Sequence, residues 1–259
     1  MSETISHASN TGTSSTCTST PCVPSSLDAV PHPRITATPS ARPHRFRSRI
    51  GVGLAGGFYP APHRYELYLS AHCPLSLRVS ITHGLLGLKD SVATTLLALP
   101  ADTPSAFASL RGAYEATWHH YDGPLTAPAL CDRWSGRVVS NHTPDILRDL
   151  GDLFADRAGS CHSPIRPSEL AADIDSLRDL LAREVIPGAP TAQRSAALDL
   201  LNRQLTSGPY ALGKELTAAD VDLWVALVQL ESVQDLSSYG LLQDYVRRLD
   251  AHPAFHRHL

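Results

Sequence analysis

The sequence predicts an α/β domain built on a small mixed sheet, followed by an all-α domain. Three observations carry that prediction. Between residues 64 and 150 the hydrophobic period switches repeatedly, giving the order βαβα and then ββα. After an irregular stretch at 151–167, four apolar stripes follow at helical spacing. A cysteine and a proline, Cys73-Pro74, stand where the first strand hands over to the first helix.

Residues 1–45 are rich in Ser, Thr and Pro and hold too few large apolar side chains to offset chain entropy, so they read as a disordered tail. Few acids and several arginines there also fit an organelle transit peptide, but the tail is the preferred reading. Order is expected from Phe46. Arg64–Ser70 alternates Tyr65, Leu67 and Leu69 with Glu66, Tyr68 and Ser70, and reads as a strand. Pro74 suits a first helical position, where no N–H is needed, and this puts Cys73 at the N-cap. The helix carries Leu75, Leu77, Val79, Ile81 and Leu85, and Gly84 and Gly87 mark its end. Ser91–Leu99 is rich in strand formers. Residues 104–118 set Phe107, Leu110, Tyr114 and Trp118 on one helical face. Pro128–Cys131 and Arg137–Val139 flank the turn Asp132-Arg133-Trp134-Ser135-Gly136 as a hairpin, and Ser140-Asn141 caps a helix to about Leu150. The later stripes centre on Leu177, Leu201, Trp224 and Tyr245. This order gives a thioredoxin-like domain at 46–152 and a helical domain at 153–259.

At 259 residues and 42% hydrophobic the chain has ample material for a core. A net charge of −3 and a pI near 6.5 exclude the basic stripe that nucleic acid or an anionic membrane requires. No apolar run reaches the roughly 20 residues of a membrane span, and the N-terminus has no apolar signal core. Five widely spaced cysteines argue against a disulfide framework and for a reducing compartment, taken as the cytoplasm. Cys17 and Cys22 lack a second ligand pair, which makes zinc the weaker reading.

Cys73 is the residue with the clearest chemistry. At a helix N-terminus it meets unpaired N–H groups and the positive end of the dipole, and both favour thiolate over thiol. A thiolate attacks disulfides and activated thioethers. The plain alternative is a space-filling cysteine. His72 could assist the thiolate, although a solvent-facing side chain is the simpler reading. In a thioredoxin-like fold Pro128 is a cis proline beside the thiol, and the residue before it, Ala127, offers its backbone to a thiol substrate. Ser140-Asn141-His142-Thr143 opens a helix whose donors suit a carboxylate, or simply cap the helix. Thr217-Ala218-Ala219-Asp220 is a capping-box variant that nucleates a helix. His252, His256 and His258 read as a solvated end rather than a metal site, and no metal is expected.

These pieces resemble the glutathione transferase superfamily, and within it the glutathionyl-hydroquinone reductase branch, the xi or omega-like class. The resemblance covers about residues 46–259. It is carried by Phe58-Tyr59-Pro60-Ala61, Arg64-Tyr65-Glu66-Leu67-Tyr68 with Cys73-Pro74, Ala127-Pro128-Ala129-Leu130, Val138-Val139-Ser140-Asn141, and Leu216-Thr217-Ala218-Ala219-Asp220-Val221-Asp222-Leu223-Trp224. It implies a catalytic Cys73 that takes glutathione from a glutathionyl-hydroquinone as a mixed disulfide, which a second glutathione releases. It implies a thiol site formed by Pro74, Ala127, Pro128, Ser140, Asn141 and His142, and a homodimer. The sequence departs from the family pattern at Leu75-Ser76 in place of Trp-Ala and at His142-Thr143 in place of Glu-Ser. It also departs at Gln229-Leu230-Glu231 in place of Arg-Phe-Asp, and at Gln234 in place of a tyrosine. The missing Glu would pair with an ammonium, so the thiol is glutathione or another low-molecular-weight thiol such as mycothiol. Two other functions stay open: a transferase that conjugates the thiol to an electrophile, and a non-catalytic binding or scaffold protein of the same fold.

Overall fold

The structure is a computed structural model, and it describes residues 45–51, 57–71, 73–97, 104–153, 164–231 and 236–257. The readings placed on the tail before Arg45, and on His72, Cys161, Gln234 and His258, lie outside the described residues.

Strand β1 (Tyr65–Ser70) leads into helix α1 (Pro74–Leu85), and β2 (Val92–Leu97) returns parallel to β1, with Tyr65 opposite Val92. Gly87 makes this return possible, since its φ of 64° is a conformation that costs glycine nothing. Helix α2 (Pro104–Thr117) precedes the hairpin of β3 (Ala129–Asp132) and β4 (Arg137–Ser140). The sheet order is β2-β1-β3-β4, and β3 runs antiparallel to both its neighbours. Helices α3 (Thr143–Leu153), α4 (Ala171–Glu184), α5 (Thr191–Gln204), α6 (Ala218–Glu231) and α7 (Gly240–Asp250) complete the chain. The predicted order βαβα, ββα and then helices is the observed order. All described residues belong to one compact unit. None of their helices is long and apolar enough to cross a membrane.

Helix α1 explains an odd sequence pattern. Its apolar residues recur every second position, which suits a strand better than a one-faced helix. The helix is buried on two sides. Val79 packs with Leu67, Val139 and Ile146 under the sheet, while Leu77 and Ile81 join Trp224 and Leu227 in the helical core. The buried Ser76 is polar for a reason: its Oγ accepts the Ser70 N–H at 3.0 Å. Ser76→Ala leaves that donor without its partner and should cost about 1 kcal/mol in a denaturant titration.

The histidine-rich end corrects the sequence reading. His252 is exposed as expected, but Ala254 and Phe255 are buried and His256 is half-buried, so this part of the chain folds back on α1. Phe255 is buried edge-on against Trp224, His256 Nε2 lies 3.1 Å from Ser80 Oγ, and Gly84 leaves room for Ala254. Apolar contact at Phe255 holds this tail down together with the ion pairs of Arg257 to Glu231 and Asp250.

A cavity of about 50 Å³ lies between α1, α3, α4 and α6. Its rim carries the ion pairs Arg178–Asp222 at 2.8 Å and Arg166–Asp175 at 2.7 Å. It has room for water and little else.

Candidate functional site

The site is built where three segments meet: the start of α1, the loop before β3, and the start of α3. Cys73 is the N-cap of α1, with φ −101° and ψ 117°. Its backbone carbonyl accepts the Leu77 N–H at 2.9 Å, and its amide donates to the Ser70 carbonyl at 3.1 Å. The sulfur accepts the Ser76 N–H at 3.5 Å and lies 3.6 Å from the Ala127 carbonyl, to which the thiol donates. Cys73 is thus placed by backbone on both sides and is only 5% exposed.

The contrast with Cys131 is chemical. Both are buried free thiols. Burial pushes the Cys131 thiol well up, and the nearby Glu66 and Asp132 carboxylates add to that. Cys131 lies within β3, without a helix N-terminus at its sulfur. It stays a neutral, inert thiol.

The Ala127–Pro128 peptide is cis, as the thioredoxin-like reading expects. The loop before it is anchored by a polar cluster that the sequence did not reveal. Tyr114 and Thr126 share a hydrogen bond at 2.8 Å, and the Asn141 amide donates to both, at 3.1 Å each. Asn141 Oδ1 accepts the Phe46 N–H at 3.0 Å, and its own N–H donates to the Phe46 carbonyl at 3.1 Å. Asn141 therefore does not cap α3. It ties the segment at Phe46, the loop before Pro128 and the start of α3 into one piece. Tyr114 read as a core residue, and its hydroxyl partners are distant in sequence.

Helix α3 begins at Thr143, and the fully buried Ser140 Oγ accepts the His142 N–H at 3.1 Å. His142 Nδ1 lies 3.0 Å from the Asp145 carboxylate. Arg47 meets the same carboxylate at 2.8 and 3.2 Å through Nε and Nη2. Burial works to raise the Asp145 carboxyl, but Arg47 and His142 outweigh it and hold the group below the usual range. This carboxylate is engaged from two directions within the chain.

The structure brings Cys73, Pro74, Ala127, Pro128, Ser140, Asn141 and His142 to one region. The thread runs from the Cys73 sulfur to the Ala127 carbonyl, and from Thr126 to Asn141 beside His142. A second unforeseen cluster lies at the other end of β1. The buried Arg64 forms a two-point ion pair with Asp132, at 2.8 Å for each bond, and its guanidinium lies over Tyr59 and Trp134 at 4.3 and 4.9 Å. The DRWSG turn hinted at it only as a turn.

Known proteins share this fold. Residues 191–259 match the family described as Glutathione S-transferase, C-terminal domain. The glutathione-bound structure of YqjG, a glutathione transferase homolog from Escherichia coli K-12, superposes with a TM-score of 0.70 at 25% identity, over 81% of this chain and 83% of that one. The fold is that of a glutathione transferase. This glutathione-transferase-like chain also has relatives by sequence among the glutathionyl-hydroquinone reductases. It is 28% identical over 245 residues to the glutathionyl-hydroquinone reductase PcpF of Sphingobium chlorophenolicum, covering 82% of this chain and 76% of the relative. The Xi glutathione S-transferase of Phanerochaete chrysosporium matches at 26% identity and a TM-score of 0.67, over 83% and 82% of the two chains.

Proposed function

We propose that this enzyme is a cysteine-type, thiol-dependent reductase of the glutathionyl-hydroquinone reductase kind, acting through a mixed disulfide on Cys73. The observation that carries the reading is the seat of Cys73: a helix N-cap sulfur facing the Ser76 N–H and the Ala127 carbonyl. The names of the relatives support the substrate class.

In this reading the Cys73 thiolate attacks the sulfur of the aryl thioether. The Cys73–sulfur bond forms as the sulfur–carbon bond breaks. The ring carbon keeps that electron pair and takes a proton, so the hydroquinone leaves. A second thiol then attacks the thiol half of the mixed disulfide, releasing its symmetrical disulfide and the Cys73 thiolate. One free thiol is consumed: its sulfur and the sulfur of the thioether leave together as the disulfide, Cys73 is regenerated, and the ring carbon is reduced from C–S to C–H. The Ala127–Pro128 backbone holds the cysteinyl part of the thiol, and the start of α3 holds its far end.

The test is intact mass spectrometry after exposure to the disulfides of glutathione, mycothiol and coenzyme A. A fast adduct at neutral pH that prefers one thiol is expected. Slow labelling spread over several cysteines would defeat the proposal and leave the conjugating transferase or the scaffold protein in front.

One observation keeps a second thiol in play. The start of α3 offers His142 where the resembled family has a carboxylate, and Asp145 is already engaged. An ammonium on the thiol finds no free anionic partner in these residues, which favours an uncharged thiol such as mycothiol. His142→Glu should then shift use toward glutathione, lowering its KM about tenfold with little change in kcat. Steady-state kinetics with both thiols checks this, and an unchanged KM would remove His142 from the thiol site.

A further inference from the structure

A groove of about 660 Å³ opens on the far half of α1, bounded by the loop to β2, β2 itself and the C-terminal tail. Its polar lining is Ser80, His83, Lys89, Thr94, His252 and His256, and among the described residues it contains no carboxylate. That is unusual for a chain with net charge −3. Ser80 is seven residues along α1 from Cys73, roughly 10 Å of helix, and Leu85 more than that. The groove is separate from the thiol site.

His83 is occupied by the Val92 carbonyl at 2.9 Å, so the groove's available donors are Lys89, His252 and the Ser80–His256 pair. Lys89 makes no ion pair among the described residues. Its charge acts on both His83 and His256, and among the described residues no carboxylate is named against either. Burial, with Lys89 adding to it, lowers the pKa of both rings. His252 turns Nδ1 to the Ala254 N–H at 3.2 Å, which leaves Nε2 to carry the proton and donate. The end of α1 does not compete for cations, because the Leu86 and Gly87 amides cap the Thr82 and Gly84 carbonyls at 3.0 and 3.1 Å. Leu85 and Pro253 give the groove an apolar wall.

We propose that this groove is a binding site for a small oxyanion ligand, a phosphate monoester with an apolar body, held by Lys89, His252, Ser80 and His256. Ser80 and His256 form its proton-linked part. In the empty groove the Ser80 hydroxyl faces His256 Nε2 at 3.1 Å. When His256 takes a proton, Nε2–H donates to Ser80 Oγ, and the Ser80 O–H turns to the anion. Binding therefore takes up a proton and strengthens as pH falls toward 6. Of the titratable groups that line the groove with His256, namely Lys89, His83 and His252, none is acidic; Lys89 acts on its ring by charge and the Ala254 backbone by a hydrogen bond.

The test uses the full chain, with inorganic phosphate and phenyl phosphate as probes and the His252 and His256 ring signals as readout by NMR. The expected result is a saturable shift that is stronger at about pH 6 than at about pH 8, with phenyl phosphate the tighter ligand. The His256 titration midpoint should rise in its presence. Lys89→Ala should weaken binding about tenfold, and Lys89→Arg should restore most of it. The rate of Cys73 adduct formation should be the same in these variants, which keeps this result independent of the proposed reductase. No saturable shift by ~20 mM probe, or the same affinity in Lys89→Ala, would overturn the site.

Discussion

Replacing Cys73 by serine is expected to lower release of hydroquinone from a glutathionyl-hydroquinone by about a thousandfold or more. Loss of a nucleophile removes the covalent route altogether, and what remains is positioning alone. Serine keeps the cap, since its Oγ can accept the Ser76 N–H as the sulfur does. The fold should therefore survive, and the thermal midpoint should move little. Cys131→Ser is the control: that thiol is buried in β3 with its ionisation suppressed, so turnover should persist. Steady-state assays on the three proteins settle the matter. If the serine variant kept more than about a tenth of the activity, the mixed disulfide would not be the route. Conjugation would then lead, because a serine can hydrogen-bond a bound thiolate.

Asp220→Ala should be the most damaging substitution in the helical half. Asp220 is fully buried, and its carboxylate accepts the Ala211 N–H at 2.7 Å, the Thr217 N–H at 2.8 Å, the Thr217 hydroxyl at 3.2 Å and the Tyr245 hydroxyl at 2.8 Å. It joins the loop before α6, the first turn of α6, and α7. Alanine strands these donors where water does not reach. The expected loss is about 3 kcal/mol or more, a drop in the thermal midpoint of roughly 6–12 °C. Asp220→Asn should be little better, because an amide NH₂ must then face other donors. A midpoint within about 2 °C of the wild type would mean that this cluster is not what pins the helices.

That residue also shows how far the sequence could be read. Thr217 and Asp220 are three apart, so local spacing revealed the box, and the Thr217 N–H to Asp220 bond is there. Its reach to Ala211 and Tyr245 depends on how the chain returns, which no local pattern encodes. The same division holds at the thiol. The strand and the hairpin follow from period and turn chemistry, and the helix from Pro74 at its start and the glycines at its end, although its apolar residues recur every second position. The Tyr114–Thr126–Asn141 cluster joins residues up to 27 apart and was not legible. Asn141 looked like a cap because asparagine before a helix usually is one. Here the strand-like segment at Phe46 offers its amide a better partner. The histidine tail misled in part for the opposite reason: its composition is polar and His252 is exposed, yet Phe255 is buried against Trp224 and Arg257 pairs with Glu231 and Asp250.

Helix α1 belongs to two cores at once, with Val79 facing one and Leu77 and Ile81 the other. It is a party wall, and the residue that caps its start, Cys73, carries the sulfur. In the proposed reductase, the accuracy with which that sulfur meets its substrate is therefore partly the property of remote neighbours. A methylene gained or lost beside Trp224 or Leu227 moves the wall, because close-packed interiors pass strain along rather than absorb it. Amino-acid changes that never approach the thiol can in this way retune its reactivity. The helical half is part of the instrument that aims it.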